Sequence, residues 1–125
     1  MTMWTSEELD RIGTAEELQI QSLRSNGTLR NPVIIWVVRL GDDLYIRSVN
    51  GRTSGWFRGT QQSHKGHIQA GGVDKDVAFE EVAETGIIER VDEAYRIKYH
   101  KYAPQYVEPL MVPEARSATI RLLPI

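Results

Sequence analysis

The run "PVIIWVVRL", residues 32–40, constrains what this chain can fold into more than any other stretch. It is apolar without alternation and rich in β-branched residues, so it reads as a strand covered on both faces. Such a strand needs hydrogen-bonding neighbours in a sheet and packing partners on either side, and the rest of the chain must supply both.

The neighbours are legible. "ELQIQSL" (17–23) sets Leu18, Ile20 and Ser22 against Glu17, Gln19 and Gln21, the alternation of a half-exposed strand. "SNG" (25–27) turns the chain, "GDD" (41–43) turns it again, and "LYIRSV" (44–49) returns as the next strand. "HIQAGG" and "DVAFEEV" form a hairpin whose turn lies at Gly71-Gly72 or at Asp74-Lys75. "SATIRLLP" (117–124) makes the last strand. The packing partners are helices. Thr5 and Glu8 have capping-box spacing ahead of Leu9 and Ile12, with Gly13 as a C-terminal stop. "GWFRGTQQS" (55–63) suits a short helix. "IERVDEAYRIKYHKY" (88–102) is the clearest one. Its acids lie early and its bases late, as the helix dipole favours, and Val91, Tyr95, Tyr99 and Tyr102 share a face. That tyrosine stripe suits a core or a homodimer contact better than a cofactor box. The expectation is a mainly β fold with α, one domain over residues 1–125. It is a small antiparallel barrel of about six strands with short helices packed outside.

Several functions are disfavoured by what the chain lacks. A net charge of −2 and a pI near 5.9 give no basic field for nucleic acid. The absence of cysteine removes disulfides, thiolate nucleophiles and cysteine-based metal sites, and it fits a reducing compartment. "MTMWTSEELD" has no basic-then-apolar leader pattern, and no apolar run approaches the roughly 18 residues of a membrane span. A cytoplasmic protein is expected. His64 and His67 are too few for zinc, so no metal is expected. Glu80, Glu81 and Glu84 form no recognisable acid–base pair and read as a solvated edge. No Gly-x-Ser-x-Gly elbow, Walker loop or Ser-His-Asp pattern occurs.

The loop "SVNGRTSGWF" (48–57) concentrates what chemistry there is. Asn50 and Gly51 tolerate positive φ, Ser54 stands where an N-cap belongs, and Gly55 lets a ligand approach the first helical turn. A helix N-terminus attracts anions, and Arg47, Arg52 and Arg58 can add charge-assisted bonds to a phosphate. Trp36 or Trp56 can lie against a ring system. The same residues also make an ordinary Asn-Gly turn, a capped helix and a buried tryptophan.

"VIIWVVRLGDDLYIRSVNGRTSGWFR", "IQAGG…DVAFEEV", "VDEAYRIKY" and "ATIRLLP" together resemble, over nearly the whole chain, a bacterial family of small proteins known as a domain of unknown function. That family is in turn distantly similar to split β-barrel proteins of the pyridoxamine-phosphate-oxidase and deazaflavin-dependent nitroreductase type. The resemblance implies a split barrel that binds FMN or a deazaflavin coenzyme, often across a dimer, and reduces a small organic substrate. By position it implicates Arg47, Ser48, Asn50, Gly51, Arg52, Ser54, Gly55 and Trp56 in cofactor binding. Tyr45 and Tyr95 are the candidate proton donors. No basic segment ahead of the barrel stands out as a further phosphate contact. The alternative is a scaffold or binding module of the same fold with no cofactor.

Overall fold

The computed structural model describes residues 3–125. Helix α1 (Ser6–Thr14) opens the described chain, capped as its sequence requires, with the Thr5 hydroxyl and the Glu8 carboxylate exchanging hydrogen bonds with each other's backbone N–H. The helix continues through Gly13 rather than stopping there. A Cβ at that position would come within 3.1 Å of the Arg39 side chain, so glycine serves a close helix–strand approach.

Seven strands follow: β1 (Leu18–Ser22), β2 (Val33–Ile35), β3 (Val37–Leu40), β4 (Asp43–Arg47), β5 (Lys65–Ala70), β6 (Val73–Glu81) and β7 (Thr119–Pro124). All pair antiparallel in one sheet of order β2-β1-β5-β6-β7-β4-β3. The two edges, β2 and β3, are consecutive in sequence and separated by Trp36 alone, so the sheet curls into a nearly closed, split barrel.

This corrects the reading of residues 32–40 as one strand buried on both faces. Val33–Ile35 pair with β1 and are largely exposed; Val37–Leu40 pair with β4, and Val37 and Val38 are buried. Trp36 carries the chain across the seam between them. Backbone groups freed there find side-chain partners on α3 (Thr85–Lys98). The Tyr95 hydroxyl donates to the Trp36 carbonyl at 3.1 Å. The Lys98 amine donates to the Val37 carbonyl at 2.6 Å, and the Tyr99 hydroxyl accepts the Val37 N–H at 3.3 Å.

Other boundaries also shift. Gly71 and Gly72, at φ +57 and +83, make the β5–β6 turn, which removes the Asp74-Lys75 alternative. Helix α3 begins and ends earlier than its charge pattern suggests, because Ala103 is extended ahead of Pro104 and the chain must leave the helix first. Tyr102 therefore lies beyond the helix. Residues 103–116, without periodicity in the sequence, form a strap of short turns. These are α4 (Pro104–Val107), a 3-10 turn (Glu108–Met111) and α5 (Pro113–Arg116), each with a proline in its first positions.

Two apolar clusters hold this together. Inside the barrel, Leu18, Ile20, Val37, Leu44, Ile46, Ile68, Ile120 and Leu122 pack beneath Leu9 and Ile12 of α1 and Phe57 of α2 (Gly55–Ser63). Outside it, Val38 and Tyr45 meet Val91 and Tyr95 of α3, Tyr99 at its C-cap, and Val107 and Leu110 of the strap.

One polar cluster ties the layers. Arg47, 2% exposed at the end of β4, uses every guanidinium nitrogen internally. It meets Asp92 Oδ1 at 2.5 Å, the Leu110 carbonyl at 3.0 Å, the Ile88 carbonyl at 3.2 Å and Thr119 Oγ1 at 2.9 Å. Arg116 lies 3.0 Å from the other Asp92 oxygen. Removing one partner of a buried pair leaves the other charge uncompensated. Asp92→Ala is therefore expected to cost about 3–5 kcal/mol in urea unfolding, with the slope unchanged. A loss under 1 kcal/mol would show that the cluster is hydrated rather than buried.

Candidate functional site

Two concavities lie on either side of Trp56, on the face where the barrel seam, the loop after β4 and the strap converge. The first is a mainly apolar cleft of about 430 Å³. Ile34, Ile35 and Trp36 at the seam form one wall, Val49 and Trp56 another, and Tyr102, Tyr106 and Leu110 a third, with Arg47 in its lining. Trp36 is held rigidly there. Its ring stacks on Tyr99 with centroids 3.9 Å apart and planes 4° apart, and Tyr102 lies against it at 5.1 Å. Rigid aromatic walls and few polar groups are the usual makings of a site for a planar organic ring, and the volume is in the common range.

The second concavity, about 270 Å³, is more polar than the first and basic. It is lined by Ser22 of β1, Arg24, Arg30 and Asn31 of the β1–β2 connection, and Gly55 at the start of α2, with Trp56 closing it toward the cleft. Three features of this space, the cradle, bear on an anion. Ser22 is 4% exposed, yet among the described residues its hydroxyl has no hydrogen-bond partner, and neither has the buried Arg30 Nε. Among the same residues Arg24 and Arg30 bond to neutral groups, Arg24 to the Leu29 carbonyl at 2.8 Å and Arg30 to the Gln62 amide oxygen at 3.1 Å. The N-terminus of α2 is uncapped: Ser54 makes no side-chain bond, and the first internal bond runs from the Arg58 N–H to the Ser54 carbonyl. Gly59, one turn into α2, lets Ser22 and Arg30 approach, since a Cβ there would overlap the Ser22 hydroxyl.

The residues singled out in the sequence are distributed unevenly over these spaces. Trp56 borders both, Gly55 lines the cradle and Arg47 the cleft. Arg47 nonetheless points its donors into the protein, and Ser48 is buried. Gly51 takes φ +76 with Glu114 packed against it, which leaves the loop's tight turn facing a carboxylate. Arg52 bonds the Ser117 carbonyl and the Glu81 carboxylate, both at 2.8 Å. Asn50 is exposed and lines neither space, and Ser54 fills the N-cap position without capping. Neither proposed proton donor reaches the cleft. The Tyr95 hydroxyl is fully buried against the Trp36 carbonyl, and burial holds its pKa far above the ordinary range. Tyr45 accepts from Arg121 and lines neither space.

Arg24, Arg30 and Ser22 escape sequence reasoning because they read as turn and strand residues. The signal is an arginine at each end of the "RSNGTLR" turn, which a hairpin brings together. His67 sits between Asp74 and Asp76, one carboxylate at each ring nitrogen. Among the described residues no group of His, Asp and Glu is arranged to hold a metal, and no helix is long and apolar enough to cross a membrane.

The matched family agrees with the resemblance. Residues 8–122 match the family described as an uncharacterized protein conserved in bacteria (DUF2255), and the chain belongs to that family. No curated protein matches it. Among solved structures, the conserved hypothetical protein Rv2991 of Mycobacterium tuberculosis is similar at TM-score 0.65 and 12% identity, over 100% of this chain and 81% of that one. A candidate 5-nitroimidazole antibiotic resistance protein of Bacteroides thetaiotaomicron is similar at TM-score 0.64 and 14% identity, covering 99% and 81%. An FAD-binding protein of Mesorhizobium loti is similar at TM-score 0.59 and 17% identity, covering 99% and 92%. These likenesses carry the split-barrel fold.

Close packing at Gly59 gives a test of the cradle. Gly59→Ala pushes the Ser22 hydroxyl and the Arg30 side chain away from α2, an overpacking cost of about 1–3 kcal/mol offset by about 1 kcal/mol of helix propensity. Thermal or urea unfolding should therefore show no net gain, and a stabilisation of about 1 kcal/mol or more would mean that α2 does not sit against β1 as described.

Proposed function

We propose that this DUF2255 protein binds a flavin or deazaflavin cofactor, its ring in the aromatic cleft and its phosphate in the basic cradle, and reduces a small organic substrate. The observation that carries the reading is the cradle itself. A buried serine hydroxyl and a buried arginine Nε, neither with a partner among the described residues, stand beside an uncapped helix N-terminus, and an anion would satisfy all three together. The FAD-binding protein of Mesorhizobium loti that shares this fold points in the same direction.

The residues present fit such a cofactor. Trp36 and Trp56 would flank the ring, and Trp56 would stand at the junction of ring and tail. When bound, a flavin supplies hydride chemistry that no side chain here provides. The chain's own contribution is binding and electrostatics. Asp92 is shared by Arg47 and Arg116, so the cluster beside the cleft keeps one positive charge in excess, favourable to negative charge on a ring above it. Tyr106, 60% exposed at the cleft rim, is the phenol placed to give a proton to a substrate.

Thermal-shift titration with riboflavin, FMN, FAD and the deazaflavin coenzyme tests this. A ligand at 100 times its Kd stabilises by about 2.7 kcal/mol, which shifts Tm by several degrees. FMN should bind more tightly than riboflavin. Arg30→Ala should remove about 1.5–3 kcal/mol of FMN affinity, roughly ten- to a hundredfold, while leaving riboflavin unaffected. Arg52→Ala should change neither. Equal binding of riboflavin and FMN would remove the cradle from the site, and no shift with any of the four would leave a cofactor-free barrel.

A further inference from the structure

A third concavity, about 380 Å³, lies on the outer surface of the barrel and shares no lining residue with the cleft or the cradle. It runs between β3 and α3 and is closed at one end by Gly13 of α1. Val38, Leu40, Ala94 and Ile97 make its floor and rim, and Ile97 remains 64% exposed although large and apolar. The charged groups facing it are Arg39 from β3, and Arg90, Glu93 and Lys98 from α3. Arg39 is held by Asp10 of α1 at 2.7 Å, whereas Arg90 forms no ion pair among the described residues. With Arg39 paired to Asp10, the groove combines an apolar floor with the Arg90 guanidinium and the Glu93 carboxylate at its rim.

Lys98 differs from the chain's other lysines. Lys75 is paired with Glu8 and Lys101 with Glu16, and Lys65 is exposed on β5. Lys98 is half-buried, has no carboxylate partner among the described residues, and rests 5.2 Å from the Tyr99 ring with one N–H on the Val37 carbonyl. Burial brings its pKa down to about 8. A neutral amine can keep the Val37 bond through one hydrogen and still present its lone pair to the groove.

We infer that this groove is a second ligand site, for a small carbonyl compound bearing a carboxylate, and that Lys98 is its nucleophile. The carboxylate pairs with Arg90 while the apolar body lies on Val38 and Ile97. The Lys98 nitrogen attacks the carbonyl carbon, forming a C–N bond as the carbonyl π pair moves to oxygen. A proton passes from nitrogen to that oxygen, and the carbinolamine loses water as the C=N bond forms. Amine and carbonyl become imine and water, with no oxidant or reductant consumed.

The test is trapping. The full chain is treated with 4-carboxybenzaldehyde or with benzaldehyde between pH 6 and 10, each imine is reduced with cyanoborohydride, and the labelled lysines are mapped by mass spectrometry. Lys98 should be labelled at least fivefold faster than Lys65 at pH 8, with a rate that is half-maximal near pH 8. The carboxylated aldehyde should be preferred, and Arg90→Ala should abolish that preference while leaving the benzaldehyde rate unchanged. Labelling of Lys98 no faster than of Lys65 would overturn the nucleophile. Equal rates with both aldehydes would overturn the carboxylate site. Arg90 is exposed, so its variant keeps the fold even if a Lys98 variant does not.

Discussion

The Arg47 guanidinium is the constraint on which the rest of this structure depends. It leaves the end of β4 and reaches α3 through Asp92 and the Ile88 carbonyl, the strap through the Leu110 carbonyl, and β7 through Thr119. A charge this deeply buried is costly unless every donor is used, so the elements that use them are fixed relative to the sheet. One of those elements is the strap, which has no periodic apolar pattern to dock it and only Val107, Leu110 and Ala115 buried. The strap carries Tyr106 and Leu110 to the cleft. The wall of the site thus stands where it does because an ion cluster holds its base.

The seam of the barrel solves a different problem. Two sheet edges meet there, and edges expose unpaired backbone groups. Tyr95, Tyr99 and Lys98 satisfy the carbonyls and N–H of residues 36 and 37, which lets the chain cross from one edge to the other in a single residue. That residue is Trp36; Tyr99, which serves the Val37 backbone, stacks on its ring, and Tyr95 stacks on Tyr99 in turn. Closing the barrel and building an aromatic wall are one event. The tyrosine spacing in α3 reflects both demands.

Local signals in the sequence were good guides to turns, caps and strand faces. Thr5 with Glu8, the "SNG" turn and the alternation of Leu18, Ile20 and Ser22 all appear as read, because each depends on residues within a few positions. Residues 32–40 misled because apolar content alone does not distinguish a strand sandwiched in a sheet from two edge strands meeting at a seam. The difference lies in which strands pair with it, and that is set by the distant β1 and β4. The site was legible in the same measure. Trp56 and Gly55 could be picked out by their place at a helix start. Arg24 and Arg30 could not, because their meaning arises when the hairpin brings them beside Gly59 and the free end of α2, more than 25 residues onward. The inward turn of Arg47 was hidden for the converse reason: Asp92 looked like an ordinary acidic residue in the first turns of an exposed helix face.

The loop from Ser48 to Phe57 can now be understood as a device with two separate parts. Its first half is a turn closed on itself. Gly51 takes a positive φ, its N–H bonds the Ser48 carbonyl, and Glu114 packs against it where a Cβ would stand. Its second half is left open. Ser54 declines the capping role that its position offers, and the first N–H groups of α2 face the space beside Arg24, Arg30 and Ser22. A side-chain cap at such a place is worth about 1 kcal/mol, and a chain selected for stability alone would take it. Forgoing it next to two unpartnered buried polar atoms is sensible if an anion completes the set. Such an anion would join α2 to the β1–β2 hairpin across Gly59, and a ring attached to it would reach the cleft past Trp56.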